Sequence, residues 1–539
     1  MADIAPSLQS VAAPPQEPLP QAPPQAPSSA LRRWLGPDRA ERVFILLALG
    51  LVMEAFFVLL TQRFWLTKFF PTAPSLPPEL QHVSVGFPQM MPGSWSSGAW
   101  WLTIVLAAPF AAWAPALWLA SRLQGPLARL VVAGMAVVFA LTLCGLYPIT
   151  AADIFHYLAD ARTFWVYHQN PMVVPPSAHP FVIGISWADQ SSPYGPVWQF
   201  LSVIPAALFG THWAWAVIGF KLLAIGFFFA CCWFLYAAVR RAWPRRELLA
   251  LTTFAWSPFV LMRVAGNGHN DIVMMALAVA ALYFALDRRW RYVVPLLALS
   301  ALVKFSTLLL VPPVLVYAWF ASDARARREL VLASAGSAAL AVVCFVPFWV
   351  GRDTFKTFVQ NTNLVITSVP QLVSVAIHGA AAADTIDPGV REAGYVAFAA
   401  IYLALLGVLA LRPRYDYLVA ALALTVIAYL TFNTWWFRPW YLLWFLPFAA
   451  MLSSWWWVAL SACVGFGATY FDLIEQYRVH WPWIWDHLWR ALAAPVLPVF
   501  VPLALIILFA FTLTGDWTLA SRRKDEGAPS TLTLDPGTL

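Results

Sequence analysis

The sequence predicts an all-α, polytopic integral membrane protein of about 14 transmembrane helices. Three observations carry that prediction. Of the 539 residues, 61% are hydrophobic and only 11% charged, against about 25% charged in an ordinary soluble domain. Apolar runs of about 15 to 25 residues recur along the chain, and a helix needs about 20 to cross the hydrocarbon. Arginines gather in the short segments between alternate runs, as expected of cytoplasmic loops.

Taken in order, residues 1–40 form a cytoplasmic tail with eight prolines in its first 30 positions, a composition that favours disorder over a packed core. No short apolar stretch suited to a cleavable signal peptide follows the N-terminus directly. The transmembrane domain is expected over 41–515. Its first spans are read at 43–62, 99–120 and 130–150, the first carrying an unusual acid, Glu54. After a long polar loop come spans at 212–239, 247–264 and 271–286. Lys304 falls at the break between two short runs, 291–305 and 306–320. Further spans are read at 329–350, 395–411, 415–432, 440–453, 455–471 and 492–514, followed by a cytoplasmic tail over 516–539.

A cytoplasmic N-terminus places the clusters around Arg32, Arg122, Arg240, Arg288, Arg325, Arg412 and Arg522 on the inner face, together 21 of the 33 basic residues. The apolar stretch 197–210 has about 14 residues, too few for a full span. Read as an interfacial or re-entrant helix, it keeps every later basic cluster inside. Segments 63–98, 151–211, 351–394 and 472–491, with the turns 267–271 and 432–441, then face the extracytoplasmic side.

The net charge of +7 does not point to nucleic acid, because the basic residues lie in separate loop clusters rather than on one continuous surface. The five cysteines lie inside apolar runs without CxxC or other metal spacing. No HxxxH or HExxH pattern occurs. Neither a metal nor another cofactor is expected.

The outer loop about 151–211 opens with DIFHYLADARTFWVYHQNP. Asp153, His156, Tyr157 and Asp160 stand at i, i+3, i+4 and i+7 and share one helical face. Asp153 suits a general base with orienting partners, Asp160 being the reserve; the competing reading makes Asp153 a helix N-cap. His168 and His179 read as loop residues. In SSPYGPVW, a rigid Pro-Gly-Pro turn delivers Tyr194 and Trp198 to the interface. In GNGHND, His269, Asn270 and Asp271 begin a helix and offer donors and acceptors to sugar hydroxyls, with Asp271 as a simple cap being the alternative. Three cations, Lys221, Lys304 and Arg438, lie within or at the edge of the hydrocarbon, where an unpaired charge costs several kcal/mol. An anionic lipid phosphate would suit them.

The order DIFHYLADAR with its following NP, PYGPVW, GHND and PWYLLW resembles bacterial glycosyltransferases of the GT-C superfamily, in particular the polyprenol-phosphate-mannose-dependent mannosyltransferases and the related family 87 proteins. The likeness extends from about residue 43 to 514. It implies a multi-pass bacterial cell-membrane enzyme with both termini cytoplasmic. It also implies transfer of a hexose, mannose above all, from a polyprenyl-phosphate donor to a glycan or glycolipid acceptor on the extracytoplasmic face, with inversion. Asp153 matches the family's catalytic base, and an amphipathic helix after the catalytic loop matches 197–210. The two extra spans before that loop depart from many family members. A transporter or flippase of lipid-linked sugars is the rival class, but the paired broken helices of repeated halves are not found. An envelope polysaccharide polymerase or ligase is the alternative within the enzymes.

Overall fold

The computed structural model describes residues 37–68, 95–179, 187–210, 212–361, 364–365, 368–379 and 385–477. Among them the chain is helical and contains no strand, only two isolated bridges. Helices α1 (Pro37–Arg63), α2 (Trp95–Arg122) and α3 (Pro126–Cys144) form from long runs of Leu, Val and Ala. Helix α1 packs on both α2 and α3, and Thr142 donates to the Glu54 carboxylate, giving that intramembrane acid a partner. Beyond these helices the chain crosses over itself: Leu66 N–H donates to the Gly145 carbonyl at 2.9 Å and Tyr147 N–H to that of Phe64 at 2.8 Å.

Helix α4 (Asp153–Trp165) starts the long loop after α3, and α5 (Pro196–Phe209) closes it. Then follow α6 (Trp213–Ala242), α7 (Glu247–Ala255) and α8 (Pro258–Leu261). Helix α8 runs into a π-helical turn, Met262–Gly266. The element α9 (Asp271–Ala285) packs against α6 and α10 (Trp290–Val303). At Lys304 the backbone turns extended, and a 3-10 segment (Phe305–Leu310) leads into α11 (Val311–Phe320). The remaining helices are α12 (Ala324–Phe345), α13 (Lys356–Asn361), α14 (Val369–His378), α15 (Pro388–Leu411) and α16 (Tyr415–Phe432). After a 3-10 segment (Pro439–Trp444) come α17 (Leu446–Leu452) and α18 (Trp455–Tyr477).

Seven of the described helices are long and apolar enough to cross a membrane, or eight if the pair α7–α8, bent by 48°, makes one broken span. The chain is thus a polytopic membrane protein, but the expected 14 spans are not reached among the described residues. The spans expected at 271–286 and 291–305 have become helices of 15 and 14 residues. At 1.5 Å per residue they rise roughly 20 to 23 Å, short of a hydrocarbon core of about 30 Å. The expected span 440–453 divides into a 3-10 turn and a seven-residue helix. The last expected span, 492–514, both expected tails over most of their length and much of 63–98 lie outside the described residues. Helices α12 and α15 expose Val342, Val343, Val396 and Leu403, a surface suited to lipid and poorly suited to water.

Helix α5 behaves as its length requires. Trp198, Gln199, Ser202 and Ala206 are buried, whereas Phe200, Ile204 and Leu208 on its other side are exposed. Its start is fixed by Gly195, whose N–H donates to the Val303 carbonyl at 3.0 Å. A Cβ at Gly195 would stand 2.1 Å from the Leu302 carbonyl oxygen, so this contact between the SSPYGP turn and the end of α10 admits no side chain. Gly195→Ala is therefore expected to lower stability by about 1–3 kcal/mol. Thermal unfolding of the detergent-solubilised variant, with a Tm equal to that of the parent, would refute this account of the turn.

Candidate active site

The site is assembled where α4, the turn before α9, the break after α10 and the segment before α17 meet. Asp153 is the first residue of α4, and the cap position belongs to Ala152 with no side-chain cap bond. Asp271 likewise opens α9 behind Asn270, again with no side-chain cap bond. Neither aspartate therefore takes the capping role that composition alone left open, and both carboxylates point elsewhere.

Asp271 is fully buried. Its Oδ1 accepts from Lys304 Nζ at 2.8 Å and from the Trp444 indole N–H, while Oδ2 has no hydrogen-bond partner. The ammonium of Lys304 lies 5.7 Å from the ring centre of Tyr194, 5.0 Å from Tyr441 and 5.3 Å from Trp444. A cation against aromatic faces gains about 0.5–2 kcal/mol per contact, the upper end when desolvated. Breaking of the chain at Lys304 serves this arrangement, because an extended residue between two helices can send its side chain into the site.

His269 connects the two acids. Its ring stacks on Trp440 with centres 4.6 Å apart. Nδ1 stands 3.7 Å from Asp153 Oδ2 and 3.9 Å from Asp271 Oδ2. Both distances exceed a hydrogen bond, and both ring nitrogens are buried without a partner. Burial, reinforced by the charges of Arg263 and Lys304, holds the imidazole well below its ordinary pKa. It is neutral, with one N–H to give and one lone pair to receive. The turn that presents it depends on Gly268, at φ +72°, where a Cβ would also meet Ile154 at 2.6 Å.

Asp153 keeps about a quarter of its side chain exposed. Burial raises its carboxyl above the ordinary aspartate value. Lys304 and Arg438 oppose that rise, Asp271 adds to it and His156 opposes it. One turn along α4, His156 Nδ1 meets Asp160 Oδ2 at 3.0 Å. Burial would lower the pKa of His156, but Asp160 and Asp153 together with a backbone hydrogen bond outweigh it and the net shift is upward. Asp160 is itself fully buried, and its other oxygen has no hydrogen-bond partner.

Tyr157 packs edge-on against Tyr194 and Trp198, and its hydroxyl donates to Asn270 Oδ1 at 3.2 Å. The Asn270 amide nitrogen is buried without a partner. Arg438 lies with its guanidinium 4.6 Å from the Trp436 ring centre and 5.6 Å from that of Trp440.

Lys221 differs from the other cations. Wholly buried in α6, it donates to the main-chain carbonyls of Cys144, at 3.2 Å, and Leu146. These carbonyls lie at and beyond the C-terminal end of α3, where backbone acceptors lack helical donors and a cation is favoured. The phosphate contact expected of Lys221 thus gives way to a helix-end clamp. His179, read as a loop residue, stacks on Tyr167 at 3.8 Å. Residue patterning alone does not single out Trp440, Tyr441 and Trp444 within PWYLLW. Their spacing around one tight turn was the available signal. Among the described residues no group of three or more His, Cys, Asp or Glu could hold a metal ion.

Residues 72–321 match the family model described as Alpha-(1->6)-mannopyranosyltransferase, N-terminal domain. The Alpha-(1->6)-mannopyranosyltransferase A of Corynebacterium glutamicum is 22% identical over 171 residues, which are 31% of this chain and 34% of that protein. The chain thus spans about a third of the length of the curated relative it matches. The match supports the resemblance to GT-C mannosyltransferases and contains Asp153, the GHND turn and Lys304, but ends before Arg438 and PWYLLW.

The Asp271–Lys304 pair yields a stability test. Lys304→Met strands a buried carboxylate and should cost about 3–5 kcal/mol. Adding Asp271→Asn removes the stranded charge and should recover most of the loss. A Tm of the double variant below that of Lys304→Met would contradict the pairing.

Proposed function

We propose that this protein is a membrane glycosyltransferase that moves a hexose, mannose by its family likeness, from a polyprenyl-phosphate donor to a hydroxyl of a glycan or glycolipid acceptor. The reaction is placed on the extracytoplasmic face and inverts the sugar carbon. One observation carries the reading: a carboxylate with about a quarter of its side chain exposed, Asp153, lies in the field of two cations from distant parts of the chain and beside a neutral histidine that has unfilled hydrogen-bonding capacity.

The chemistry needs little else. Asp153 accepts the acceptor hydroxyl proton as its oxygen forms a bond to the sugar carbon. The bond from that carbon to the phosphate oxygen breaks, and its electron pair leaves with the polyprenyl phosphate. Charge developing on the phosphate needs preorganised cations. Asp271 takes one of the three N–H donors of Lys304, which leaves two for phosphate oxygens. Arg438, its guanidinium over Trp436 and Trp440, adds a second positive charge to stabilise the phosphate. His269, Asn270 and the free oxygen of Asp271 orient sugar hydroxyls, with Tyr157 and Tyr194 forming the wall behind them. Asp160, buried on His156, serves to hold that imidazole beside Asp153. The isoprenoid tail lies among the membrane helices.

Asp153→Asn retains size and removes the basic oxygen. It should insert and fold with an unchanged Tm yet lose at least a thousandfold in transfer from radiolabelled polyprenyl-phosphate mannose. Transfer within tenfold of the parent would remove Asp153 from the role of base.

Acidity gives an independent check. The ionised form of Asp153 is the base, so kcat/KM should fall tenfold per pH unit once the pH drops below its raised pKa. The midpoint should lie above that of an ordinary aspartate, about 3.9. Arg438→Gln removes a cation that favours ionisation and should move the midpoint further up; a downward movement would contradict the electrostatic assignment.

A further inference from the structure

Two tryptophans at the surface meet beside the candidate site. Trp187, from the loop between α4 and α5, and Trp436, from the segment after α16, meet edge to face with ring centres 5.5 Å apart. They come from positions far apart in sequence, yet Trp187 keeps 41% of its surface exposed and Trp436 is partly exposed. Arg438 lies across the Trp436 ring and also over Trp440. Trp440 carries His269, and His269 reaches towards Asp153. A continuous path of rings and one guanidinium therefore leads from the surface to the candidate base.

We propose that Trp187 and Trp436 form an acceptor subsite that stacks a pyranose ring one or more residues removed from the hydroxyl being glycosylated. The proposal rests on the glycosyltransferase reading above and adds to it where an extended acceptor is held. Ring faces carry partial negative charge, and the C–H bonds on one side of a pyranose present partial positive charge to them. The guanidinium of Arg438, 4.6 Å from the Trp436 ring centre, places a positive charge beside the same surface, where sugar hydroxyls project. A few polar groups among apolar rings is the usual composition of a small-molecule site. Exposed tryptophans also serve as anchors at a membrane interface. An anchor, however, gives no reason for a path of contacts that ends at Asp153.

The test compares acceptors of different length. Trp187→Ala and Trp436→Ala should each raise KM for an α-1,6-linked mannotrioside about tenfold more than for a monomannoside, a ratio equal to one stacking contact. Trp187→Phe, which keeps a ring, should restore most of the difference. An equal rise for both acceptors, as loss of a membrane anchor would give, overturns the subsite, and so does no rise for either.

Direct binding separates failure of this subsite from failure of the catalytic reading. Saturation-transfer NMR on the purified protein in detergent, without donor, should show contact with mannotriose that both alanine variants lose. Binding without turnover would uphold the subsite and reject the transferase reading. Turnover with binding indifferent to both tryptophans would do the reverse.

Discussion

A carboxylate buried at the start of a helix organises the candidate site of this protein. Asp271 has no exposed surface, and an ion removed from water must find charge and hydrogen bonds within the protein. It finds them in Lys304, at the break after α10, and in Trp444, late in the chain. Three segments are held by one oxygen. Fixing Lys304 there draws Tyr194, Tyr441 and Trp444 around the ammonium. The SSPYGP turn is bound to the end of the same helix through Gly195 and Val303.

That constraint also explains why the short helices are short. A full span over 291–320 would bury Lys304 in hydrocarbon with nothing to pair it. Ending α10 at Val303 and continuing in a 3-10 segment gives up some helical hydrogen bonding and places the cation beside its acid. The segment Pro439–Trp444 follows the same logic, since a tight 3-10 turn brings Trp440 and Trp444 to neighbouring parts of the site. In a membrane, irregular backbone of this kind is tolerated where it is covered by protein or lines a cavity.

Electrostatics within the cluster are uneven, and the unevenness has chemical value. Asp271 is paired and buried, whereas Asp153 keeps access to its surroundings and is raised mainly by burial. Neutral His269 sits between them, too far from either for a hydrogen bond. Its two unpartnered nitrogens, with the amide nitrogen of Asn270 and the second oxygen of Asp271, form a set of buried donors and acceptors. Leaving such groups unsatisfied costs about 1–3 kcal/mol each. A hydroxyl-rich ligand would recover that cost on binding.

Membrane class and the positions of the long apolar helices were legible in the residues alone. Hydrophobic run length and the spacing of polar residues are local properties, and α4 appears with the face that Asp153, His156, Tyr157 and Asp160 imply. Length likewise marks 197–210 as too short to cross, and α5 forms there. Only the tertiary structure decided partnership. Lys221 and Lys304 look alike as charges in apolar sequence, but one clamps the carbonyls beyond α3 and the other meets Asp271. The capping reading and the catalytic reading of Asp153 differed by a side-chain direction that helical periodicity does not encode. The aromatic groups around Lys304 and His269 come from segments more than a hundred residues apart. Such meetings are set by how helices pack and where the backbone breaks, because burial of a charge is decided by its neighbours in space rather than its neighbours in sequence.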